Sequence, residues 1–150
     1  MAPLLPQGTD KLNSPSHSFM HRVINVDSSS PESSITVDAD GKTTIKIKAR
    51  VTTTTDDATA VIDTDSYDVY ELSAIANATT FSLTGTPTDK QSILIVFKDA
   101  GVSKGLTWTG FTPIGITLPT ATTAGKWHYV GAKYNNVASQ WHALVAIVEA

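Results

Sequence analysis

Cysteine is absent from the 150 residues, which excludes a disulfide-stapled scaffold and any thiolate metal centre. Charge is scarce at 17%, against about a quarter in an ordinary soluble domain. Glutamate occurs only as Glu32, Glu71 and Glu149. The longest apolar runs, Ile93–Phe97 and Ala143–Val148, fall far short of the roughly 18 residues that a membrane-spanning helix needs. The first eight residues have neither a basic start nor an apolar centre, so they do not read as a signal peptide.

Small hydroxyl residues fill the gap. There are 22 Thr and 14 Ser, a composition that disfavours helices and favours strands. The length suits one domain with a proper core. Net charge is −3, and no basic stripe of the kind a nucleic-acid binder shows is evident. Lys46, Lys48 and Arg50 alternate along one predicted strand and read as solvent-facing. The expectation is a β protein that binds neither nucleic acid nor membrane.

Two parts are expected. Residues 1–33 lack periodicity and contain Pro3, Pro6, Pro15, Pro31 and the run Ser28–Ser30. Proline removes backbone donors and serine clusters favour turns, so this part reads as an extended arm. Its Leu4, Leu5, Leu12, Phe19, Met20, Val23 and Ile24 are too apolar for a free tail and imply that it lies on something, either its own domain or a neighbouring chain. Residues 34–150 turn to period two. Ser34–Asp38, Thr43–Thr53, Thr59–Thr64, Tyr67–Leu72, Ala78–Leu83, Gly105–Thr109, Lys126–Tyr134 and Gln140–Val148 read as strands. In Thr43–Thr53, Ile45, Ile47, Ala49 and Val51 are expected to face inward. Gln91–Lys98, almost continuously apolar, reads as a central strand buried on both faces. Pro113–Pro119 reads as a loop, and Asn135-Asn136 as the turn of a terminal hairpin. Eight to ten short strands of this kind predict an antiparallel β-sandwich of jelly-roll or Greek-key type.

Chemistry-bearing residues are few. His17 and His21 stand four apart, a weak zinc pattern without a third ligand; packing or hydrogen bonding in the arm is the preferred reading. His128 and His142 lie in the hairpin, and a structural pairing across its strands is expected. The aspartates sit mostly in turns, where they close the backbone and need no catalytic role. Asp38-Ala39-Asp40-Gly41 opens like a calcium loop but lacks the Glu at its twelfth position. No catalytic or phosphate-binding motif occurs, so neither enzymatic activity nor a cofactor is expected. Sugars stack on exposed aromatic faces, and Trp108 with Phe111, or Trp127 with Tyr129, could form a glycan platform; a core role for Trp108 and Trp141 is the plainer alternative.

Two stretches carry a resemblance. The arm from Thr9 to Val23, with Leu12-Asn13-Ser14-Pro15-Ser16-His17-Ser18 followed by His21-Arg22 and then the alternating strand Ile35–Asp38, resembles a segment near the N-terminus of many tailed-bacteriophage tail-fibre and tail-spike proteins. Ser16 stands where Asp is frequent. Gly85-x-Pro87-x-Asp89-Lys90-Gln91, Leu94-x-Val96-x-Lys98-Asp99-x-Gly101, Leu106-x-Trp108 and Lys133-Tyr134-Asn135 with Trp141 resemble a small β module recurrent in phage virion proteins. The resemblance implies a non-enzymatic virion structural protein, commonly trimeric, assembled in the host cytoplasm. It would be a tail, fibre-attachment or adaptor protein, or alternatively a capsid decoration (cement) or head-fibre protein, with a glycan-binding module as a further alternative. Docking on other virion proteins would fall to Leu12, Pro15, His17, Phe19, His21 and Arg22. The cysteine-free composition agrees with assembly in a reducing compartment.

Overall fold

A computed structural model describes residues 34–37, 41–46 and 48–150. The chain divides between Lys48 and Ala49 into two units, later than the change of pattern at Ser34. In the first unit, β1 (Ser34–Val37) and β2 (Thr43–Lys46) form an antiparallel hairpin with Ile35 opposite Ile45. Gly41, at φ 79°, takes the left-handed conformation that glycine adopts without strain.

The second unit holds nine strands: β3 (Val51–Thr54), β4 (Thr59–Asp63), β5 (Val69–Ile75), β6 (Thr79–Thr84), β7 (Ser92–Asp99), β8 (Leu106–Thr109), β9 (Phe111–Pro113), β10 (His128–Asn135) and β11 (Gln140–Val148). The described residues contain no helix, and the all-β expectation holds. The strand order is not that of an antiparallel sandwich. One sheet runs β3-β5-β7-β10-β11-β9 and the other β4-β6-β8. From β3 to β8 the chain steps alternately from one sheet to the other, and within each sheet successive strands are parallel. Antiparallel ladders in this unit are limited to β7–β10 and β10–β11.

The physical reason lies in the connections. Parallel partners need a crossover of a dozen or more residues. Here each crossover is a strand of the opposite sheet with a turn at either end, so the chain winds as a short coil of three turns. From β3 to β8, neighbours in sequence, such as β4 and β5, do not pair with each other. The hairpin β10–β11 then closes the last turn against β7, with the Asn135 carboxamide accepting the N–H groups of Val137 and Ala138 at its bend. That hairpin is the one the sequence indicated.

The strand read over Thr43–Thr53 is interrupted between Lys46 and Val51. Its supposed inward residue Val51 is 55% exposed, and Arg50 is drawn into a bidentate pair with Asp68. Ile45 and Ile47 lie outside the described side chains. The strand β9 falls partly in the segment read as a loop.

Alternation along the coil places Ala60, Ile62, Leu72, Phe81, Ile95 and Phe97 in one core between the sheets, all essentially inaccessible. Ladder neighbours bring aromatic side chains into contact in both sheets. Phe81 and Trp108 are ladder partners in the smaller sheet and stack at 4.6 Å. Phe97 and His128 are ladder partners in the larger sheet and stack at 4.9 Å. The two stacks meet across the core, with Phe81 at 5.2 Å from Phe97.

Threonine closes the bends of the coil. Buried Thr64 donates its hydroxyl to the Thr84 carbonyl at 2.9 Å. Gly85 follows at φ 107°, where a Cβ would come within 2.8 Å of the Thr64 hydroxyl. Asp65 then accepts the backbone N–H and the hydroxyl of Thr86. These short polar residues satisfy the buried backbone groups of each bend.

Candidate functional site

The segment between β9 and β10 folds back over the end of the coil and is clasped there by a buried polar network. Asp99, 1% exposed at the end of β7, anchors it. One carboxylate oxygen accepts the N–H groups of Gly101 and Gly125, each at 2.8 Å. The other accepts the Thr122 hydroxyl at 2.5 Å, and that hydroxyl in turn accepts the Lys104 N–H. Leu106 N–H reaches the Thr120 carbonyl, and the Trp108 indole donates to the Pro119 carbonyl at 2.7 Å. Burial alone would push the Asp99 carboxyl up, but the Gly125 N–H, the Thr122 hydroxyl and the Gly101 N–H hold it below the usual range. The sequence suggested only a turn at Asp99; its partners lie 23 and 26 residues away, a separation that no local pattern reveals.

His128 completes the clasp. It is 3% exposed, and its Nε2 accepts the Thr123 N–H at 2.8 Å. Only an unprotonated nitrogen can accept that bond. Burial lowers the pKa of His128, with the charge of Asp99 opposing. The ladder sets His128 opposite Val148 and His142 opposite Lys133, so the two histidines are not cross-strand partners as expected; β10 and β11 pair ends to opposite ends, which separates them. Beside the clasp lies a hollow of about 340 Å³ lined by Leu118, Pro119, Thr123, His128 and Ile147. His128 spends its one accepting nitrogen on the Thr123 N–H, and Asp99 is not among the residues that line the hollow.

A pH dependence follows from His128. Its folded pKa lies below the unfolded 6.5, so its stabilising contribution is complete above pH 6.5 and is lost as pH falls through the folded value. Urea unfolding at a series of pH values from 7.5 to about 5 should show this loss, and His128→Gln should flatten it.

The sequence-indicated aromatic platform takes a different form. Trp108 is half-buried, with one face on Phe81 and an edge-to-face contact with Phe111 at 5.4 Å and 90°. It faces the core, so Trp108 and Phe111 do not present a common plane to a sugar. Trp141 is 6% exposed and belongs to the core. Trp127 is half-buried, and the Lys98 ammonium lies 5.7 Å above its ring. The arm residues Leu12, Pro15, His17, Phe19, His21 and Arg22 lie outside the described residues. So do Asp38 and Asp40. Among the described residues no cluster of three or more His, Cys, Asp or Glu is placed to hold a metal. Asp57 closes its own turn, as read from the sequence, by accepting the Thr59 N–H, whereas Asp56 accepts from Ala76 and Asn77, 20 and 21 residues further on.

The outer face of the six-stranded sheet carries an apolar row, which the sequence did not indicate. The register aligns Val51, Val69, Leu94, Gly131 and Val145 in one row across five strands. A second row aligns Thr53, Glu71, Val96, Tyr129 and Ile147, with Val96 buried. Leu94 is 36%, Val145 42% and Ile147 59% exposed. The strand β7 is therefore central but not buried on both faces. At Gly131 the missing side chain leaves a shallow hollow of about 410 Å³, edged by Val69, Leu94, Leu144 and Val145.

Comparison with known proteins adds little. No family model and no curated protein matches the chain. Among solved structures, a chain described as "Structure of a chaperone-substrate complex" is similar over 75% of this chain and 19% of its own length, at 15% identity and a TM-score of 0.40. At that level the likeness bears on neither fold nor function.

Proposed function

We propose that the protein is a non-enzymatic structural component of a bacteriophage virion, an oligomer, in our reading a trimer, that docks on other tail or fibre proteins through residues 1–33. The observation that carries this reading is the joint occurrence in one short chain of the arm pattern from Thr9 to Val23 and the module pattern from Gly85 to Trp141. The weakly charged, hydroxyl-rich composition supports it, because copies of such a surface repel one another little. An extended apolar arm gains burial by lying on a neighbour, and symmetry multiplies such contacts. A place on the capsid as a decoration protein is the alternative that the same physics allows.

Deleting residues 1–30 should leave the β-unit folded, with unchanged circular dichroism, but absent from purified particles. Incorporation of the truncated chain at normal copy number would overturn the docking role of the arm.

A further inference from the structure

We infer that residues 119–125 are a strap that guards the open edge of the smaller sheet and is released in acid, when the buried His128 takes up a proton. Three observations carry this, none of them resting on the virion reading.

The first is what the strap covers. β8 is an edge strand of the smaller sheet. The strap runs antiparallel along its start: Ala121 bridges Gly105, the Leu106 N–H donates to the Thr120 carbonyl, and the Thr122 N–H donates to the Lys104 carbonyl. The strand itself reads Leu106-Thr107-Trp108-Thr109. It has neither the charge nor the proline that commonly protects an exposed edge. The strap supplies that protection instead.

The second is how the strap is held. None of its residues belongs to the core cluster; the nearest that packs there is Leu118, just before it. Its attachments are polar. Asp99 accepts from Thr122 and Gly125, the Thr122 carbonyl accepts the Ser103 hydroxyl, the Pro119 carbonyl accepts the Trp108 indole N–H, and His128 accepts the Thr123 N–H. A segment held by hydrogen bonds with little apolar burial opens at lower cost than the sheets beneath it.

The third is that one attachment depends on a proton. His128 Nε2 accepts only while unprotonated. A proton there sets two N–H donors against each other and buries a charge. On the β7 side the ring stacks on Phe97, with Asp99 beyond it and the Lys98 ammonium over Trp127. On the β11 side its ladder partner is Val148, followed by Glu149, whose carboxylate accepts the Trp127 N–H. Beyond the strap, the Lys126 ammonium donates to the Ala150 carbonyl. Asp99 favours the charged ring, but burial outweighs it. Lifting the strap returns the ring to water, so proton uptake favours the open form.

Amide hydrogen exchange of the full chain, followed by NMR from pH 7.5 to 5 and corrected for intrinsic exchange chemistry, tests this. Protection of the Leu106, Thr122, Thr123 and Gly125 N–H groups should lie well below that of Ile95 and Val130 in the sheets at every pH. It should be constant above the ordinary histidine value of 6.5 and fall by up to tenfold per pH unit below it. In His128→Gln the side-chain oxygen can accept the Thr123 N–H without titrating. Strap protection in that variant should stay low relative to the sheets but no longer change with pH. Should the variant fail to fold, the wild-type series decides. Strap amides that exchange together with Ile95 and Val130, or whose protection is the same at pH 7.5 and 5, would overturn the inference.

Discussion

Phe81→Ala should lower stability by about 3–5 kcal/mol, enough to drop the melting temperature by about 15–30 °C in a unit of this size. Phe81 is fully buried and joins both aromatic stacks, touching Trp108 at 4.6 Å and Phe97 at 5.2 Å. Truncation removes the transfer energy of the ring and leaves a cavity between two sheets whose backbones are fixed by their ladders. The site cannot collapse easily, which places the loss toward the upper end. Phe81→Leu keeps most of the volume and should cost about 1–2 kcal/mol. Thermal and urea unfolding of the three proteins checks the order. A loss for Phe81→Ala near that of Phe81→Leu would mean that the two sheets do not share one core.

Asp99→Ala should cost about 3–5 kcal/mol, because the Gly101 and Gly125 N–H groups and the Thr122 hydroxyl would be left without their acceptor. Asp99→Asn separates charge from geometry. One carboxamide oxygen can still accept both N–H groups, and the new NH₂ can donate to the Thr122 oxygen, so its loss should be only about 1 kcal/mol. Because the folded carboxyl lies below its ordinary 3.8, the wild-type contribution is complete above that value and falls away as pH drops through the folded pKa. Amide hydrogen exchange offers a local readout: Gly125 and Thr122 should lose protection in Asp99→Ala well before the strands do. Unchanged protection there would show that Trp108, Leu106 and His128 hold the segment between β9 and β10 without Asp99.

Most strands were legible because alternation is a local signal. Thr59–Thr64, Ala78–Leu83 and Gln140–Val148 in the sequence match β4, β6 and β11 to within a residue or two. Their pairing was not legible. Ladder partners in the coil stand 18 and 25 residues apart in one sheet, as Val51–Val69 and Val69–Leu94. Turns of unequal length leave no fixed repeat to detect. Short turns between short strands suggest hairpins, and only the unequal but long separations of true partners distinguish a coil. The apolar run in β7 signalled burial on both faces, yet Leu94 is exposed; hydropathy reports that a side chain avoids water, not which chain covers it. The network joining Asp99 and His128 to the segment between β9 and β10 escaped notice because those partners come from a separate segment brought back by the fold. The hydroxyl-rich composition acquires a second use at Thr64 and Thr122, which are buried and bond to backbone or carboxylate rather than decorating a strand surface.

The central claim is that this chain is built into a virus particle. Imaging of purified particles, with peptide mass spectrometry to count copies, tests it most directly. The account predicts the chain at a multiple of three copies per particle. A chain that stays wholly in the soluble fraction of infected cells, with none in the purified particle, would contradict it.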